Sequence, residues 1–199
     1  MKIPENKTLQ ELFEWRFSRT PDSVAHKFLD RETTYKELNN YSNQVANGLI
    51  ELGCKPDTRI AYYGKNSDFF FEVLIGTLKS NTVTVGVNWR LAPPEVSYVL
   101  NDSESEVLFV GADFYPVIDQ ILEDLPKIKK VVAIDGDHEN YQDYISWRNS
   151  QNSTNAEIKS SPNDDILQLY TSGTTGHPKG VQLTNENFAA ANELSLIHI

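Results

Sequence analysis

A mostly parallel, doubly wound α/β sheet is the fold class this sequence predicts, and three observations predict it. From residue 59 onward, β-branched runs alternate with stretches of helical spacing, the pattern of successive βαβ units. Hydrophobic residues make up 39% of the chain and charged residues 23%, as in an ordinary soluble globular domain and unlike a disordered or fibrous chain. The single cysteine, Cys54, excludes an intramolecular disulfide, so the 199 residues must be held by a packed core.

The elements follow in order. Thr8-Leu9-Gln10-Glu11 has the form of a capping box, and Leu9, Leu12, Phe13 and Phe17 mark a helix face that Thr20-Pro21 ends. Val24 to Leu29 and Thr33 to Tyr35 read as a small hairpin with its turn at Asp30-Arg31. Thr34-Tyr35-Lys36-Glu37 is a second capping box, opening a helix with Leu38, Tyr41, Val45, Leu49 and Leu52 on one face and Gly53 at its end. Ile60 to Tyr63 is a strand. Asn66-Ser67 caps a helix through Leu78 that is apolar on most of its surface and should be buried, which explains Phe69-Phe70-Phe71 better than an acyl pocket does.

Thr82 to Val87 is a β-branched strand, and Pro93-Pro94 opens a helix through Leu100. Val107 to Val110 is a strand, Tyr115 to Leu125 a helix and Val131 to Ile134 a strand. Residues 135–165 turn polar and are expected to form a surface excursion, with a short helix near Tyr141 to Trp147. Ile166 to Tyr170 is a further strand, and after the next loop come a short strand, Val181 to Leu183, and a helix starting at Thr184-Asn185-Glu186.

The net charge of -10 repels polyanions, so nucleic acid is an unexpected partner and any phosphate must be captured locally. No apolar run approaches the roughly 20 residues of a membrane-spanning helix, and the N-terminus lacks a secretion pattern, so a cytoplasmic protein with at most peripheral membrane contact is expected. His26, His138, His177 and His198 lack ligand spacing, so no metal site is expected from them.

One segment is built to hold an anion: Thr171-Ser172-Gly173-Thr174-Thr175-Gly176-His177-Pro178-Lys179-Gly180. Its glycines let backbone N–H groups converge on one point, four hydroxyls add neutral donors, and Lys179 brings a positive charge. A flexible Gly/Thr linker is the plain alternative, and the full pattern between two strands disfavours it. Spacing excludes three other readings. Lys179 follows proline rather than a Walker glycine, Thr171 stands where a dinucleotide fingerprint needs glycine, and Tyr170 and Thr174 flank Ser172 where a nucleophile elbow needs glycines. Arg90, after a strand and before a Pro-Pro helix start, reads as a structural fixture rather than an anion ligand.

Tyr170 to Val181 resembles the phosphate-binding signature of AMP-forming adenylating enzymes, the superfamily of acyl-CoA synthetases, luciferases and adenylation domains. Gly64-Lys65-Asn66-Ser67 and Thr34 to Leu38 extend the resemblance, and Asn88 to Asp102 with Val107 to Val110 looks most like long-chain fatty-acyl-CoA ligases. The resemblance implies ATP and Mg²⁺ as cofactors, with a carboxylic acid activated to acyl-AMP and passed to coenzyme A. It implies that Thr171, Ser172, Gly173, Thr174, Thr175, Gly176 and Lys179 contact phosphate. An aryl-CoA ligase, an amino-acid adenylation domain and a non-catalytic nucleotide-binding module are the alternatives. Asn185 stands where relatives often carry histidine, and is expected to cap the helix in its place. By the same resemblance residues 1–199 are expected to be a partial N-terminal AMP-binding domain. No counterpart of the family's adenine-binding motifs, metal-binding glutamate or C-terminal catalytic-lysine domain is found in them, so these residues alone are expected not to turn over.

Overall fold

The computed structural model describes residues 8–171 and 178–197, with side chains through residue 191. Helix α1, Leu9–Arg19, opens on the expected capping box: the Thr8 hydroxyl accepts from the Glu11 amide and the Glu11 carboxylate accepts from the Thr8 amide. Strands β1, Val24–Phe28, and β2, Arg31–Thr34, form the antiparallel hairpin. Its turn is Leu29-Asp30, one residue earlier than expected, because Leu29 adopts a left-handed φ of 54°. Helix α2, Tyr35–Glu51, opens on the second capping box and ends before Gly53, whose φ of +81° suits a residue without Cβ.

The remainder builds a seven-stranded sheet. Strands β3, Arg59–Tyr63, β4, Val83–Val87, β5, Val107–Gly111, β6, Lys130–Ile134, β7, Gln142–Asp143, and β8, Asp165–Thr171, pair in parallel with one another. β9, Lys179–Thr184, runs antiparallel beside β8. The order is β7-β6-β5-β3-β4-β8-β9, the mostly parallel sheet that the alternation of strands and helices predicts.

Helices cover both faces. Helix α3, Asp68–Ser80, joins β3 to β4 and packs with α2 and α6, Tyr144–Asn149, on one face around Val45, Ile60, Phe109 and Trp147. Helices α4, Pro93–Asp102, and α5, Tyr115–Ile121, cover the other face around Val85, Val99, Leu108 and Ile118. Alternate residues of one strand therefore feed different cores: Ile60 and Tyr62 face the first, Ala61 and Tyr63 the second. Both faces being buried explains why these strands read as continuous apolar runs.

Three expectations change here. Residues 135–165 are more than a surface excursion, since β7 adds a strand to the sheet and Tyr144 and Trp147 of α6 are buried in the core. The rest of that stretch wraps the helices, with Asn43 and Asn47 of α2 donating to the carbonyls of Ser153 and Asn152. Helix α7, Asn185–Ile197, is capped by Thr184, whose hydroxyl accepts from the Asn187 amide, rather than by Asn185. Asn185 is fully buried and does tertiary work instead: its Oδ1 accepts from the Leu9 amide at 2.9 Å and its Nδ2 donates to the Ser161 carbonyl. One of the unpaired N–H groups that begin α1 is satisfied in this way. Of Phe69-Phe70-Phe71, Phe69 is buried, while Phe71 is 46% exposed and stacks on His26.

Candidate functional site

Because β3 to β8 are parallel, their carboxyl ends and the loops that follow share one edge of the sheet. β3 crosses over to β4 on one side and β5 leads to β6 on the other, so the connections diverge between β3 and β5. Crevices for ligands form at such points in open α/β sheets. Here the two backbones nearly touch: a Cβ on Gly64 would stand 3.5 Å from the Gly111 nitrogen. A cavity of about 390 Å³ opens beside them, lined by Phe28, Arg31, Tyr62, Lys65, Ser67 and Asp113 among others. Its cations are already matched. Lys65 lies 2.7 Å from Asp113, and Arg31 donates two bonds of 2.7 Å to the buried Asp68, which hold the guanidinium pKa above its ordinary value.

The expected anion-binding segment lies farther along the same edge, at the end of β8. Thr171 closes β8 and Lys179 opens β9, and the two are direct cross-strand partners. That register sets Thr171 and Lys179 side by side at the end of the ladder, with both residues exposed. Among the described residues no carboxylate pairs with Lys179, in contrast to Lys65 and Arg31. Ser172, Gly173, Thr174, Thr175, Gly176 and His177 lie outside the described residues. The two stems are tied to α4: Tyr98 donates to the Pro178 carbonyl at 3.2 Å and Tyr170 to Asp102 at 2.6 Å. Sequence reasoning missed Tyr98 and Asp102. Their spacing of four residues on a helix was a signal that both would face the same neighbour.

Arg90 is exposed, and its guanidinium lies 4.6 Å over the ring of Trp89. Trp89, at the exit of β4, borders the crevice, with Lys65 Nζ 5.9 Å from its ring and Phe114 at 6.5 Å. A second cavity, about 450 Å³, opens on the amino side of the strands beside Arg59, Asp102, Glu104 and Glu106. Its acidic rim opposes phosphate. Among the described residues no three His, Cys, Asp or Glu side chains gather to hold a metal ion, so Mg²⁺ is assigned no ligands. No helix among them is long and apolar enough to cross a membrane.

A mostly parallel, doubly wound sheet whose strand carboxyl ends share one edge defines an α/β domain of the kind that takes ligands at that edge. The particular family follows from comparison: residues 13–198 match the model of the AMP-binding enzyme family, and the chain belongs to it. It is 36% identical over 96% of its length to a fatty acid–[acyl-carrier-protein] ligase of Streptomyces coeruleorubidus, covering 35% of that protein. It is also 36% identical over 81% of its length to a long-chain-fatty-acid–CoA ligase of Mycobacterium tuberculosis, covering 31% of it. The anthranilate CoA ligase AuaEII, solved with anthranoyl-AMP, superposes with a TM-score of 0.90 at 30% identity, over 98% of this chain and 38% of that one. The chain thus spans about a third of the length of the curated relatives it matches, and corresponds to their N-terminal portion.

Proposed function

We propose that this chain supplies the ATP-phosphate site of an enzyme that activates a carboxylic acid, a fatty acid first of all, as its acyl-adenylate and passes it to a thiol, coenzyme A in the simplest case. The observation that carries the reading is the pairing of Thr171 with Lys179 across the β8–β9 stem, with Lys179 exposed and without a carboxylate partner among the described residues. In a chain of charge -10 that lysine is a local exception suited to a polyphosphate.

In the proposed reaction the acid's carboxylate attacks the α-phosphorus of ATP, the new C–O–P bond forms, and pyrophosphate leaves with the electron pair of the broken P–O bond. Lys179 holds the departing charge, and Thr171 with Ser172, Gly173, Thr174, Thr175 and Gly176 orient the phosphates. Such preorganised donors act where charge develops, and removal of one costs roughly 10² to 10³ in rate. Magnesium supplies further charge neutralisation when bound to ATP. The 199 residues by themselves are proposed to bind phosphate without sustained turnover.

The test is acid-dependent ATP–pyrophosphate exchange by the complete gene product containing this chain, with acyl chains of several lengths and aromatic acids compared. Exchange with fatty acids that Lys179→Ala lowers about 100-fold supports the reading. Exchange unchanged by that variant removes the turn from the mechanism. The aryl-acid alternative rests on the likeness to the anthranilate ligase, and a preference for aromatic over aliphatic acids would establish it.

A further inference from the structure

The phosphate turn's two stems converge on one helix. Tyr170, the penultimate residue of β8, donates its hydroxyl proton to Asp102 Oδ2 at 2.6 Å. Tyr98, one helical turn before Asp102, has its hydroxyl 3.2 Å from the Pro178 carbonyl and 3.4 Å from Asp102 Oδ1. Gln168 Nε2 donates to the Tyr170 hydroxyl at 3.0 Å, and Arg59 Nε donates to Gln168 Oε1 at 3.2 Å. A continuous polar chain therefore runs from the first residue of β3, through β8, to the last residue of α4. The stem itself is close fitting: a Cβ on Gly180 would lie 2.5 Å from Gln168 Nε2 and 3.1 Å from the Tyr170 hydroxyl.

We propose that Tyr98, Asp102 and Tyr170 are positioning residues, which set where the turn presents Lys179 and Thr171 by fixing its two stems to α4. The proposal rests on the reading of that turn as a phosphate site. Helix α4 is a suitable reference because Val96, Val99 and Leu100 anchor it in the core, each at most 1% exposed. Strand β9 needs such a reference. Among the described residues it pairs with β8 alone, and residues 179–182 are exposed. Binding groups must be held within about 0.5 Å of a productive geometry, and a misplacement of about 1 Å can cost on the order of 10²-fold in rate. Burial and the Asp102 carboxylate both push the Tyr170 phenol upward, so it remains a proton donor throughout the neutral range.

Asp102 gives the proposal a sign. A carboxylate this close to the stems opposes phosphate by charge alone, so neutralising it should help if electrostatics were its whole effect. Positioning requires the opposite. Asp102→Asn and Tyr170→Phe should each lower kcat for pyrophosphate exchange about tenfold, with KM for the acid unchanged, and the double variant should be no worse than either single one. Tyr98→Phe should lower it about threefold, and Asp102→Glu, which keeps the acceptor, should recover most of the loss.

Hydrogen exchange of the β9 amides from Lys179 to Leu183, measured on the same complete gene product, reads the stems without reference to activity. It should quicken at least tenfold in the Asn and Phe variants while their melting temperatures stay within a few degrees of the parent. Unaltered amide exchange, or a raised kcat in Asp102→Asn, overturns the proposal. So does quickened exchange with unaltered kcat in an enzyme that Lys179→Ala impairs. If Lys179→Ala leaves ATP use intact, the phosphate reading has failed, and the role in catalysis falls with it even where the amides respond.

Discussion

The centre of the sheet and the β8–β9 hairpin are built from similar residues and end in opposite states. In β5, Val107, Leu108, Phe109 and Val110 are all 0% exposed, enclosed between helices on both faces. In the hairpin, Leu169 and its cross-strand partner Val181 are 41% and 42% exposed. Burial of one such aliphatic side chain contributes about 1.5–3 kcal/mol, so the stability of the chain is concentrated at the centre. The hairpin forgoes that contribution and leaves Lys179 exposed. Fold and chemistry are therefore separable here, and substitutions should sort accordingly.

The largest effect is expected in the packed half. Arg148 is buried beside Glu72 at 2.7 Å, Tyr144 donates to the same carboxylate at 2.8 Å, and the ring of Tyr41 lies under the guanidinium. Burial pushes the Glu72 carboxyl upward and Arg148 opposes it. Arg148→Ala, which strands the carboxylate, should cost about 3–5 kcal/mol in urea unfolding. A cost below 1 kcal/mol would mean that stability is not centred there.

Next is the converse in the hairpin. Lys179→Ala should cost the complete enzyme about 100-fold in ATP-dependent activation and less than about 0.5 kcal/mol in stability, measured by paired kinetics and thermal melts. A large loss of stability would erase the contrast between the two regions.

A third prediction concerns Lys79, buried on α3. Its ammonium donates to both oxygens of Asn39 and to Asn43 Oδ1, and lies 5.0 Å from the ring of Phe17. Burial nonetheless pushes its pKa down to about 7 from an ordinary 10.5. Above pH 7 the folded chain then holds fewer protons than the unfolded chain. Stability should rise with pH from about 7 to 9, by at most about 1.4 kcal/mol per pH unit, and the gain should be absent below that window. Denaturant titrations of the parent and Lys79→Met across pH 6–9 isolate the effect, since the variant should lack the slope.

The smallest effect is expected for Leu169→Thr or Val181→Thr, within about 0.5 kcal/mol in thermal unfolding, because neither side chain is buried. A cost above 1 kcal/mol would show that the hairpin is packed in solution.

Much of the fold is legible in the sequence because its signals are local. Thr8 with Glu11 and Thr34 with Glu37 act within one turn of chain, and both boxes form as read. The strands from Arg59 to Ile134 announce themselves as short runs of β-branched, aromatic and other apolar residues. The residues that escaped are those whose partners are distant in sequence. Asn185 reads as a helix cap, yet it meets Leu9 across 176 residues. Tyr144 and Trp147 sit in a polar stretch, yet reach the core because β7 carries the chain back to the sheet edge. Of the candidate site, Thr171 and Lys179 are legible as a motif, whereas Tyr98 and Asp102 become recognisable through their contacts with Pro178 and Tyr170.

By itself, then, the sequence determined the alternation of elements, the capped helix starts and the composition of the proposed phosphate-binding segment, because spacing and residue type act over a few residues. The tertiary structure decided the strand order, the pairing of Thr171 with Lys179 and the attachment of both stems to α4. Those outcomes depend on which surfaces bury one another at long range, a sum over the whole core that no local pattern contains.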